Sequence, residues 1–162
     1  PARHTFCSLR AVGEGRVWTL LTSNLAHASP QHLIINSMQL MHFGPLIHAQ
    51  LGCERFAALL GCACIATSGT SLLWSGVRAR RREGSIGASG VAMALLAANA
   101  ALFSARTYMY GVEMPASTAV LVYLVLDLLS QQGATDVSAH AGGAACGFVL
   151  ARRWGASASW LW

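Results

Sequence analysis

Lysine is absent from this chain of 162 residues, and charged residues of all kinds make up only 10% of it. Soluble domains usually carry about 25% charged residues. That shortage, beside a hydrophobic content of 54%, excludes an ordinary soluble domain and gives the composition of a membrane protein. The net charge of +5 comes from eleven arginines. No stretch interleaves basic with aromatic residues, so nucleic-acid binding is not supported. The five cysteines are odd in number and lack paired CxxC spacing, so neither a disulfide frame nor a metal site is indicated. Cys62 and Cys64 flank Ala63 within an apolar run and read as small buried hydrophobes. The opening stretch has no charged segment followed by an apolar one, so it shows no signal peptide. The chain opens on Pro1 rather than methionine, and further segments are expected upstream.

What is present is a series of apolar segments. Five can be drawn: 30–51, 56–74, 86–105, 114–130 and 137–151. The first is entered through Ser29-Pro30, an N-cap serine followed by a proline at the first helical position. Gly44-Pro45 is expected to interrupt and kink it. Each segment lies near the ~17–25 residues that span hydrocarbon, the last two being short. The last is a candidate inner helix rather than a lipid-facing one. Trp74, Trp154, Trp160 and Trp162 stand near segment ends, as interfacial aromatics do. The expected architecture is an all-α, polytopic transmembrane helical bundle of five visible spans. Residues 1–29 form a pre-helix loop region, 30–153 the core and 154–162 a C-terminal tail. If successive segments alternate in direction, Arg3, Arg10, Arg16, Arg78, Arg80, Arg81 and Arg82 share one side, and Arg55, Arg106, Arg152 and Arg153 the other. The positive-inside rule puts the first side in the cytosol or the matrix.

Polar residues within these spans are the candidates for chemistry. Ser89 sits in Gly87-Ala88-Ser89-Gly90, where Gly90, Ala94 and Ala98 form a face of small residues. Taken alone, that face reads as helix packing. His140 heads the last segment, and Gly143 and Gly147 give it a GxxxG face that lets a neighbour approach closely. A serine hydroxyl and an imidazole placed this way suit a nucleophile and its base. His32 and Asn36 are one turn apart on the first segment, so two donors share a face, as stabilisation of an oxyanion requires. Helix capping and interhelical hydrogen bonding are the alternative reading of that pair. His42 and His48 have no evident partner. Asp127 and Asp136 are the acids of the last two segments; Asp136 reads as a helix-start acid, and Asp127 receives no role.

His27-x4-His32-x3-Asn36, then Gly87-Ala88-Ser89-Gly90, then Ala139-His140-x2-Gly143-x3-Gly147 resemble, in this order, the rhomboid intramembrane serine proteases. The resemblance covers about residues 16–153. It implies a six-span core whose first span would lie upstream of Pro1. It implies Ser89 as nucleophile and His140 as general base and acid. Asn36 and His32, with the Ser89 N–H, would line the oxyanion hole. His27 and Gly87 would be structural, and Gly143 would let the last helix pack on the serine-bearing one. Gly87-Ala88-Ser89-Gly90-x2-Met93, the run Leu95-Leu96-Ala97-Ala98 and Asp136 ahead of His140 are most similar to the mitochondrial, presenilin-associated branch of the inner membrane. Two positions depart from the family pattern: Thr19 follows Trp18 where an arginine is usual, and Thr135 stands where a glycine is usual.

The implied activity is intramembrane serine endopeptidase, acting on single-span membrane proteins in a lipid bilayer, with no cofactor, no metal and no nucleic-acid partner. Gly44-Pro45 and the loop from Arg78 to Glu83 are candidates for flexible elements that admit substrate. Two alternatives belong to other classes. One is a catalytically silent rhomboid-like protein that binds membrane helices, which would lack the serine or the histidine. The other is a haem- or metal-binding membrane protein built on the six histidines.

Overall fold

The computed structural model describes residues 2–78, 84–103, 106–109, 111–129 and 136–158. Arg80, Arg81, Arg82, Thr135, Trp160 and Trp162 lie outside the described residues, so part of the arginine tally by side does too. Residues 2–25 hold short elements: α1 (Ala2–Thr5), β1 (Cys7–Ser8), α2 (Leu9–Gly13), α3 (Thr19–Thr22) and a 3-10 turn (Ser23–Leu25). Then come α4 (Pro30–Val77), β2 (Gly84–Ser85), α5 (Ser89–Phe103), β3 (Arg106–Met109), β4 (Val112–Pro115), α6 (Ala116–Leu129) and α7 (Val137–Ala158).

The start of α4 follows from its sequence. Ser29 is extended, its hydroxyl accepts from the His32 N–H at 3.1 Å, and Pro30 occupies the first turn. A straight helix of these 48 residues would be about 72 Å long, more than twice the hydrocarbon thickness. It is not straight. Gly52 has φ 77° and ψ 169°, a conformation that side chains with a Cβ scarcely reach. The second half therefore turns back along the first: the His48 ring meets Phe56 edge-on at 5.4 Å, and Phe56 lies beside Gly44. This corrects the expected break at Gly44-Pro45. Helical dihedrals run through Pro45, and the residue that can leave the helical region without steric cost does so instead. Each half is roughly 33–38 Å long, enough for one crossing apiece.

Other boundaries shift too. Met114 and Pro115 belong to β4, which pairs antiparallel with β3, so α6 begins only at Ala116. The last helix runs to Ala158, through the stretch expected to be a tail. The inner position belongs to α5, not α7. Its 15 residues are apolar on every side, and Gly90 to Asn99 are all buried. It is packed between α4 and α7, and Ile47, Leu59 and Leu95 are fully buried at this junction. The outer surface is the reverse of a soluble protein's. Met41, Leu73, Leu121, Leu128 and Val149 are each more than half exposed, a face that suits lipid.

The region before α4 is more than a loop. Its β1 pairs antiparallel with β2, Cys7 opposite Ser85 and Ser8 opposite Gly84. Ser68 of α4 donates to the Leu20 carbonyl at 2.8 Å, and the Asn24 amide donates to the same oxygen at 3.0 Å. Burial pushes the Cys7 thiol up, against the lowering effect of hydrogen bonds with Thr19 and Ser68. The segment thus clamps the chain just ahead of α5.

α5 and α7 touch backbone to backbone. A Cβ on Gly143 would lie 2.0 Å from the Gly90 carbonyl oxygen, and one on Gly147 would lie 2.0 Å from that of Ala94. Gly147→Val should therefore lower stability by about 1–3 kcal/mol or more, read as thermal unfolding in detergent. Gly61→Ala, where nothing lies within 4 Å of the new methyl, should be neutral or slightly stabilising.

Candidate active site

The three polar motifs meet where α4, α5 and α7 begin to pack. Ser89 is the first residue of α5, so its N–H belongs to the first turn, where donors have no intrahelical partner. His140, 4% exposed, lies in the first turn of α7. Its Nε2 is 2.7 Å from the Ser89 hydroxyl. The register of small residues that seats Gly143 over Gly90 brings these two side chains together across the helix pair.

The turn before Ser89 is fixed from several sides. Gly87 has φ +117°, and its N–H donates to the Ser23 carbonyl at 2.9 Å. A Cβ there would come within 2.5 Å of the His32 ring. The Ala88 N–H donates to Nε2 of His27 at 3.5 Å. The His27 and His32 rings stand edge to face with centroids 5.2 Å apart. His27, His32 and Gly87 therefore form one cluster beside the serine. An open hollow lined by Leu25, His27, Ser29, Pro30 and Leu33 lies next to it.

Asn36, one turn deeper on α4 than His32, is 2% exposed. Its amide nitrogen has no hydrogen-bond partner among the described residues. A buried amide N–H left unmade costs about 1–3 kcal/mol. His42 and His48 stack edge-on against Phe43 and Phe56, away from this cluster. Among the described residues, no three His, Cys, Asp or Glu side chains converge to hold a metal ion.

The two acids separate cleanly. Asp136 stands just before α7, where it accepts from the Ala139 N–H at 3.0 Å and the Ser138 hydroxyl at 2.6 Å, and also meets the Ser71 hydroxyl. It is a helix-start acid that also ties α7 to α4. Asp127 of α6 instead reaches His140: one carboxylate oxygen bonds Nδ1 of the ring. Tyr123, one turn earlier on α6, faces the same ring edge-on at 6.2 Å. Sequence reasoning assigned neither residue. The available signal was a carboxylate inside an otherwise uncharged apolar helix, which is costly without a partner.

A family model of the rhomboid domain matches residues 14–156. The chain belongs to the rhomboid family. It is 30% identical over 142 residues to RHOMBOID-like protein 5 of Arabidopsis thaliana, an overlap covering 87% of this chain. The same overlap is 45% of that protein, so this rhomboid chain spans about half the length of the relative it matches. Family and surface together make it a membrane protein with a rhomboid helical bundle.

In this rhomboid, Gly87 has both a positive φ and a ring against it, so Gly87→Ala should be strained twice over. A loss of about 1–3 kcal/mol is expected, measured as a fall in unfolding temperature beside the parent.

Proposed function

We propose that this rhomboid is an intramembrane serine endopeptidase. The observation that carries the reading is the 2.7 Å contact between His140 Nε2 and the Ser89 hydroxyl, where the helices of an apolar bundle begin to pack. A general base within hydrogen-bond reach of a nucleophile is the first geometric requirement for covalent catalysis.

The reaction follows from the positions. Ser89 Oγ attacks the carbonyl carbon of a peptide bond in a locally unwound membrane helix, and Nε2 of His140 takes its proton. A C–O bond forms, and the carbonyl oxygen becomes an oxyanion. The Ser89 N–H and the unpartnered Asn36 amide, with His32 beside them, are the donors assigned to it. On collapse the C–N bond breaks, and His140 returns the proton to the leaving amine. Water, deprotonated by His140, then attacks the acyl ester, which releases the new carboxyl end and restores Ser89. His27 and Gly87 hold the turn, and Gly143 holds the helix pair at the distance the proton transfer needs. The substrates fitting such a site are single-span membrane proteins within the bilayer. The mitochondrial inner membrane is the proposed location; it is supported by the Gly87–Met93 motif and Asp136 ahead of His140, and co-fractionation with inner-membrane markers tests it.

Cleavage of a model transmembrane substrate in proteoliposomes tests the activity. Ser89→Ala and His140→Ala should each abolish it; cutting by either variant at the parent rate would refute the assignment. Asn36→Ala should lower kcat by about 10²–10³ with KM nearly unchanged. A kcat within twofold of the parent would remove Asn36 from the oxyanion site. A folded parent that binds substrate helices but leaves them uncut would instead favour a silent rhomboid-like binding protein.

A further inference from the structure

We propose that Asp127 is a positioning residue for His140, so that the site is a Ser89–His140–Asp127 triad rather than a pair. The inference rests on the serine-protease reading above and deepens it. Asp127 is the one charged residue of α6, and it is 8% exposed. Along α6 only Ala116, Ala119 and Asp127 are buried, and they share the one face that α6 turns to the bundle. A carboxylate in such surroundings costs about 2.5–3.5 kcal/mol on insertion scales unless something compensates it. Among the groups it meets is Nδ1 of His140.

The direction of that hydrogen bond decides the chemistry. With Asp127 ionised, its carboxylate can only accept, and Nδ1 then carries the hydrogen. A neutral imidazole then has its lone pair on Nε2, the nitrogen 2.7 Å from Ser89 Oγ. That is the tautomer able to take the serine proton; the other would present an N–H to the hydroxyl. When His140 becomes positively charged, the carboxylate beside it stabilises the cation where water cannot. Tyr123, one turn before Asp127, holds the plane of the same ring edge-on. α7 has an acid of its own in Asp136, but Ala139, Ser138 and Ser71 occupy its oxygens. The acid that serves the imidazole therefore comes from a different helix. Other groups near the ring are few: α5 carries no ionisable side chain, and α4 brings His32 within electrostatic reach.

The test compares the full chain with Asp127→Asn, Asp127→Glu, Ser89→Ala and His140→Ala in proteoliposomes. A fluorophosphonate probe counts active serines, and a fluorogenic transmembrane peptide reports turnover. Asp127→Asn should lower kcat per active serine by about 10²–10⁴ while KM stays within about twofold. Asp127→Glu should recover part of the rate. If Asp127 merely ties α6 to α7, its variant would lower the unfolding temperature and the count of active serines. It would leave kcat per serine in place, and that result overturns the proposal. Should Asp127→Asn fail to fold, ¹⁵N NMR of histidine-labelled parent decides: a proton on Nδ1 of His140 supports the triad, and one on Nε2 alone overturns it. A folded parent that neither reacts with the probe nor cuts the peptide overturns the protease reading and the triad with it. A parent that does both, beside an unimpaired Asp127→Asn, removes the triad alone.

Discussion

The contact between α5 and α7 is the constraint on which the rest depends. Hydrocarbon gives apolar helices no reason to associate, so their attraction must come from close van der Waals packing. Gly143 lies on the Gly90 carbonyl and Gly147 on that of Ala94, which leaves no room for a side chain at either crossing. Helices held this close carry their first turns into hydrogen-bond range. The meeting of His140 with Ser89 follows from that spacing. Thr67 of α4 lies against Gly90 at the same crossing and Thr70 against Gly142, so the third helix is fitted to the same small-residue seam.

Around that seam the polar groups are sparse, and most are used up. Asp136 is spent on the start of α7 and on Ser71, Ser68 on Leu20, and His27 on Ala88. In a medium of low dielectric each such bond is stronger and each orphan more costly than in water. The Asn36 amide and the Thr67 hydroxyl are exceptions on this seam, buried without a hydrogen-bond partner among the described residues. The clamp made by residues 2–25 serves the same end from outside the bundle. It pins the turn before Ser89 through the β1–β2 pairing and the Ser23 carbonyl.

Much of this was legible in the chain itself, and the reasons for the misses are physical. Ser29-Pro30 announced the start of α4 because capping is local chemistry. The small-residue faces of α5 and α7 were readable because helical periodicity fixes which residues share a face. The break in α4 was misplaced because proline is the stronger sequence signal, yet a proline within a helix can keep helical dihedrals. Gly52 shows itself only when the second half must fold back to bury Leu59 against Ile47. The inner helix was likewise misassigned, since low polarity on every face marks α5 less visibly than shortness marked α7.

The sequence by itself determined the membrane character, the capped and small-faced helices, and the three motifs that place the chain among rhomboids. These are local or compositional properties, set by spacing and by the cost of charge in lipid. Tertiary structure decided which acid serves which purpose. Asp136 is four residues from His140 and turns to the helix start, whereas Asp127 is thirteen away and touches the ring. Proximity along a chain says little about that choice. It depends on which face of α6 is turned toward α7, and only the packed bundle sets that rotation.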